Sequence, residues 1–195
     1  MPGPLAGNAV TRFEYLSVLI SIVIAFAMSE TLSGWGQMIR MRDRLRFDPL
    51  HAGWSVLSVL LMVQWWWGFW QYRDVPNVTF FGFLALLSEP LTLVLLAFVL
   101  TPHPGELEGR DLRAEYLRNR RWIFGLAALL LIELALVDAL VGHQPFWHAE
   151  NAIRGVGLAL LATLAVSSRE RLHALVLVVA YALLVGFVFV TFQRD

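Results

Sequence analysis

The feature that most constrains this chain is an apolar run from Phe13 to Ile39 with a glutamate, Glu30, in its interior. About 20 apolar residues, rising about 1.5 Å each, cross the hydrocarbon core of a bilayer, so this run predicts a transmembrane helix. Small residues recur along it at four-residue spacing: Ser17, Ser21, Ala25, Ser29 and Ser33. Such a stripe lets a second helix approach closely in lipid. A carboxyl group at this depth has to face protein or water. The run therefore predicts a membrane helix within a bundle that has a polar interior.

Composition supports a membrane protein along the whole chain. Of its 195 residues 58% are hydrophobic and only 15% are charged, far from the usage of a soluble domain. We expect a disordered tail over residues 1–12 and a single membrane domain over 13–195. Residues 16–27 resemble a signal-peptide core with its cleavage site, but apolar character resumes after Glu30, so we interpret the segment as a retained span.

Several classes of function are excluded or disfavoured by residue usage. The net charge is zero, which gives no case for a nucleic-acid partner. Cysteine is absent, which excludes disulfides, thiolate catalysis and cysteine-ligated metals. All 15 basic residues are arginine, which excludes a lysine Schiff base and is typical of a GC-rich bacterial genome. No catalytic motif is present, so we expect no enzyme activity and no cofactor.

The order of apolar and polar segments predicts an all-α bundle of about six transmembrane helices. Thr101 to Arg121 is the longest polar stretch, and its second part predicts a surface helix held to anionic lipid headgroups by arginine. The fifth apolar run is short, which leaves a five-span alternative open. The predicted spans are 13–39, 52–70, 80–100, 122–141, 146–168 and 172–192, with the interfacial helix at 106–121.

Arginine also predicts the orientation of the helices. With six spans, eleven arginines lie in the loops of one side and only Arg12, Arg73 and Arg194 lie on the other. Because cytoplasmic loops carry the excess of basic residues, this places both termini outside, in a multi-pass protein of a bacterial inner membrane.

Three glutamates fall near mid-depth on three different spans, namely Glu30, Glu89 and Glu133. Asp138 lies nearer the far end of the fourth span, and Glu89 precedes Pro90 in the third. Each carboxylate would be costly in lipid if ionised, so the set indicates proton or ion binding. The structural alternative is that these groups are neutral hydrogen-bond partners that hold helices together.

Other polar residues allow weaker hypotheses. Arg154 cannot shed its charge, so it either pairs with an acid such as Glu150 or Asp138 or binds an anion. His143 and His148 are weak metal candidates, and His51 and His173 are weak haem candidates, because their spacings match no ligand motif. The tryptophans of 65–70 are interpreted as an interfacial belt, with an aromatic cage for a cation as the alternative.

The function hypothesis that follows is conduction of protons or cations, or proton-coupled transport of a small solute, through a bundle lined by carboxylates. The alternative is a non-catalytic accessory or assembly subunit of a membrane complex, in which the small-residue stripe packs against a partner helix. A homo-oligomer is also expected from that stripe.

Overall fold

The computed structural model describes residues 12–75, 78–101, 111–142 and 149–192. These residues form an all-α bundle without a β-strand, which confirms the predicted fold class. Its helices are α1 (Arg12–Arg40), α2 (Pro49–Gly68), α3 (Phe80–Leu100), α4 (Leu112–Leu140), α5 (Ala149–Val166) and α6 (Glu170–Phe192), with a 3₁₀ turn at Phe69–Tyr72 after α2.

Three of these helices, α1, α3 and α4, are long and apolar enough to cross a membrane. Their most apolar windows have mean hydropathies of 1.9, 2.3 and 2.4. The apolar part of α5, Asn151–Val166, is shorter than these three helices. The chain thus has the helices of a membrane protein. That α2, α5 and α6 also cross the membrane stays a prediction.

Three helices begin at polar residues that satisfy the first backbone N–H groups. Asp48 accepts a hydrogen bond from the backbone N–H of His51 at 2.9 Å, and Pro49 follows it at the first helical position of α2. The hydroxyl of Thr79 accepts from the N–H of Gly82 at 3.0 Å at the start of α3. Asp111 does the same for α4. These N-cap residues explain locally where the helices start.

The start of α4 differs from the expected boundary. Instead of an interfacial helix that ends before Trp122, the chain from Leu112 continues as one helix to Leu140. Leu112, Tyr116 and Phe124 are all buried, so the same face of the helix packs inward before and after Trp122. Because this face packs against the bundle on both sides of Trp122, the helix continues through the expected boundary. Residues 106–110 of the predicted interfacial helix lie outside the described part of the chain.

Helices α1 and α2 run in opposite directions. Trp35 of α1 donates to the Ser55 hydroxyl of α2 at 2.6 Å, and Trp66, later in α2, donates to Ser21, earlier in α1, at 3.2 Å. Such crossed pairing requires antiparallel helices. The most extensive helix contacts are those of α3 with α4, of α4 with α5 and of α1 with α3.

The core consists of two apolar clusters along α3. The smaller includes Leu86 together with residues of α1, α4 and the 3₁₀ turn. The larger includes Leu93 and lies toward the arginine-rich end of the bundle. Glu89 lies on α3 between these two residues and is itself only 1% exposed. The fold therefore buries a carboxyl group between two apolar layers.

Candidate functional site

The carboxyl group of Glu89 is the centre of the candidate site. The indole N–H of Trp65, on α2, donates to its Oε2 at 2.5 Å. Its other oxygen, Oε1, is buried and has no hydrogen-bond partner among the described residues. A buried acceptor without a donor costs free energy, which makes this oxygen a place for a proton, a cation or a water molecule.

Glu133 lies across from α3, on α4. The hydroxyl of Thr92, one turn after Glu89 on α3, donates to Glu133 Oε1 at 3.0 Å. Glu133 Oε2 is buried and, within the described chain, has no hydrogen bond of good geometry, although the Ser88 hydroxyl of α3 lies close to the same carboxyl group. Glu133 and Glu89 are close enough to interact electrostatically, so the two acids are neighbours. The structure brings two of the three predicted mid-depth glutamates together on adjacent helices.

An ion pair extends the polar cluster toward the other end of α4. Arg154 of α5 donates to Asp138 of α4 at 2.5 Å, and both side chains are about four-fifths buried. The hydroxyl of Tyr72 donates to the second oxygen of Asp138 at 3.0 Å. Arg154 also donates to Asn151 at 2.7 Å. Asp138 and Arg154 are also within electrostatic range of Glu89. Polar groups thus continue from Glu89 toward the end of the bundle that carries Tyr72.

Comparisons of this chain with protein-family models, with curated proteins and with solved structures found no match. The chemistry of the site is therefore argued from its own residues.

Glu30 does not join the Glu89 cluster. It is half-buried on α1 and makes no hydrogen bond or ion pair with the described residues. Phe26, one turn earlier on α1, contacts Phe98 of α3 with ring centroids 5.8 Å apart. Phe98 is nine residues past Glu89, which corresponds to about 13 Å along a helix. Glu30 is thus displaced along the bundle axis toward the arginine-rich end.

Some predicted site residues fall outside what the structure describes. His143 and His148 belong to the undescribed segment 143–148, and the side chain of Glu150 is likewise not described. Among the described residues, no group of three or more histidine, aspartate or glutamate side chains is placed to hold a metal ion. The metal hypothesis for the two histidines stays untested.

The tryptophan run divides into two parts. Trp66, Trp67 and Trp70 are between 50% and 60% exposed, as expected of residues in an interfacial belt. Trp65 is partly buried and is bonded to Glu89. Arg73 lies 5.3 Å from the ring centroid of Trp70, so a cation of this chain already occupies one exposed indole face. Trp65 belongs to the site and not to the belt.

A second polar network joins helices at the arginine-rich end. Asp48, the N-cap of α2, is 2% exposed and accepts from the Arg113 guanidinium of α4 at 2.8 and 2.9 Å. The same guanidinium donates to Glu170, at the start of α6, at 2.9 Å. Arg113 thus links three helix N-termini, while its expected contact with lipid headgroups stays a prediction.

The two histidines near this end also link helices. His51 Nε2 lies 2.9 Å from the Leu100 carbonyl, which ties α2 to the end of α3. His173 Nε2 donates to the Ser167 carbonyl at 2.9 Å, so its Nδ1 accepts from the Tyr116 hydroxyl at 2.6 Å. Both ring nitrogens of His173 are in use, and the hypothesis of a haem ligand at this residue has no free nitrogen to support it.

Sequence analysis missed Trp65, Thr92 and Tyr72 as neighbours of the acids. Each is an ordinary residue of an apolar helix or its end, and no spacing motif connects α2 with α3 or α3 with α4. The one available signal was position, because Trp65 and Glu89 each lie in the half of their helix nearest the α2–α3 connection.

Proposed function

We propose that this chain is a multi-pass protein of the bacterial inner membrane, with both termini outside, that moves protons or small cations, or couples a proton to the transport of a small solute. The observation that carries this proposal is the pair of buried, unpartnered carboxyl oxygens, Glu89 Oε1 and Glu133 Oε2, on adjacent helices. Asp138 and Tyr72 extend the polar groups toward one end of the bundle.

The physical reason is that a buried acid with one free oxygen is suited to bind and release a charged species. An ionised carboxylate without a donor is costly at this depth, so a proton, a cation or a water molecule completes its environment. Purely structural acids, by contrast, are expected to have every oxygen satisfied by the protein. Two such oxygens on adjacent helices support the proposal of a binding site for a proton or cation.

The test is proton flux into liposomes that contain the purified protein, at a clamped potential and with an internal pH dye. We expect wild type to exceed protein-free liposomes and Glu89→Gln or Glu133→Gln to return flux to the protein-free level. The amide keeps the size of the side chain but cannot carry the proton. Asp74→Asn is the matched control, since Asp74 is 83% exposed in its side chain and lies in a loop.

Glu30→Gln tests whether the proposed pathway includes α1 in addition to α3 and α4. Full loss of flux in this variant would extend the pathway along α1, whereas normal flux would restrict it to α3 and α4. Absence of flux in a correctly folded wild type, for protons and for small cations alike, would contradict conduction.

The second candidate function, an accessory or assembly subunit, is favoured by one observation on α1. Ala25, Ser29 and Ser33 of the small-residue stripe are exposed on the outside of the bundle, where a helix of a partner or of a second copy can approach closely. Ser29→Leu would then abolish co-purification with that partner, or shift a homo-oligomer to monomer, without changing the fold.

A further inference from the structure

A cleft of about 450 Å³ opens between the end of α3 and the first half of α4, at the arginine-rich end of the bundle. Its lining includes His51, Phe98, Thr101, Glu115, Arg118 and Trp122. This volume is within the range of small-molecule sites, about 300–1,000 Å³. The residues that line this cleft belong neither to the carboxylate cluster around Glu89 nor to the Arg113 network.

Two deeply buried polar side chains line the cleft with an atom unused. His51 is 2% exposed and Thr101 is 6% exposed. Neither His51 Nδ1 nor Thr101 Oγ1 has a hydrogen-bond partner in the part of the chain that the structure describes. Because His51 Nε2 donates to the Leu100 carbonyl, Nδ1 of the neutral ring is an acceptor. Both atoms are therefore buried acceptors that still lack a donor.

The surroundings of these acceptors favour a positive donor. Thr101 is the C-cap of α3, and a helix C-terminus carries partial negative charge. Phe98 and Trp122 add aromatic rings to the lining of the same cleft. Aromatic faces and a negative helix end together suit an ammonium group.

The rim of the cleft carries an exposed arginine. The Arg118 side chain is 63% exposed there and pairs with Glu115, which is mostly buried. Trp122 is 69% exposed, as is typical of a residue at the membrane–water interface. Arginine at such an interface binds phosphate. Buried acceptors and an exposed arginine thus line the same cleft.

We propose that this cleft binds a phosphoethanolamine group, with the ammonium directed to His51 and Thr101 and the phosphate to Arg118. The group has two natural sources, the headgroup of phosphatidylethanolamine and a soluble phosphoethanolamine ester. This inference does not rest on proton movement, because loss of flux and loss of lipid selectivity are measured separately.

The test compares lipids by native mass spectrometry of the full chain released from nanodiscs. Phosphatidylethanolamine and phosphatidylcholine differ in the three N–H donors that the choline group lacks. We expect the first lipid to be retained about tenfold more than the second, since a hydrogen bond to a charged group changes affinity by about that factor. Equal retention, or no retention of either lipid, would overturn the proposal.

Two variants assign the selectivity to this cleft. Thr101→Val keeps the shape of the side chain and removes the hydroxyl, so the preference for phosphatidylethanolamine should fall. Thr163→Val is the matched control, because Thr163 lies on α5 with its hydroxyl bonded to the carbonyl of Ala159. Arg118→Gln, on the exposed rim, should weaken retention of both lipids and is independent of how Thr101→Val folds. An unchanged preference in Thr101→Val together with unchanged retention in Arg118→Gln would overturn the site.

Soluble phosphoethanolamine distinguishes the two sources. If it displaces the lipid at comparable concentration, the cleft is a site for a soluble ester. If the lipid alone is retained, the site is one for a membrane lipid. Either result supports the chemistry of recognition.

Discussion

At the scale of the residue, the indole of Trp65 controls the environment of the acid at the centre of the bundle. Its N–H is the hydrogen-bond donor to Glu89 Oε2, while Glu89 Oε1 has no partner among the described residues. The ring also stacks on Phe69, with centroids 5.7 Å apart. Trp65 thus combines a packing role with a polar one, and the two can be separated by mutation.

Trp65→Phe should lower the free energy of unfolding by about 1–3 kcal/mol, because it keeps an aromatic ring but leaves the buried carboxyl group without its donor. Trp66→Phe is the control, since its N–H bonds to Ser21 at the exposed surface and should matter little. Denaturant unfolding in detergent measures both. In a double-mutant cycle with Glu89→Gln the two effects should not add, and additive effects would contradict a direct interaction.

At the scale of the element, the contact of α1 with α3 depends on a glycine. A Cβ built at Gly34 would lie 2.1 Å from Thr101 Cγ2, so a side chain there requires Thr101 or the helices themselves to shift. Gly36, two residues on, has open space apart from the end of Arg40 at 3.6 Å. The two positions have the same local structure and different tertiary surroundings.

Gly34→Ala and Gly36→Ala should therefore change stability in opposite directions. Alanine favours a helix over glycine by about 1 kcal/mol, and this gain is expected at Gly36. At Gly34 overpacking costs about 1–3 kcal/mol and is expected to exceed that gain. Thermal unfolding of the two variants side by side measures the difference. Stabilisation by both would show that α1 and α3 do not approach closely at Thr101.

At the scale of the whole molecule, the antiparallel arrangement of α1 and α2 is consistent with a chain that crosses the membrane repeatedly. The loop with Asp43 joins α1 to α2, and the loop with Asp74 follows the 3₁₀ turn after α2. These two loops lie at opposite ends of the bundle. Both aspartate side chains are 83% exposed.

Single cysteines at these positions test the proposed orientation in a chain that has no cysteine of its own. With both termini outside, Asp74→Cys should react with a membrane-impermeant maleimide in intact cells, and Asp43→Cys only after permeabilisation. The reverse pattern would invert the topology. Reaction of both in intact cells would mean that α2 does not cross the membrane.

The sequence by itself determined the elements of this protein, because the causes of a helix are local. Apolar runs predicted the places of the helices, and N-cap residues such as Asp48 and Thr79 begin two of them. Position along each helix also predicted that Glu89 and Glu133 lie near the middle of the bundle. Each of these properties depends on residues within a few turns of one another.

Only the tertiary structure decided which polar groups meet. It joined Glu133 to Thr92 and Glu89 to Trp65, paired Arg154 with Asp138, and displaced Glu30 from all of them. Helix rotation and axial offset depend on side chains that are distant in sequence, as Gly34 and Thr101 show. The energy of close packing at such contacts sets the register between helices, and a periodic pattern along a single helix carries no information about it.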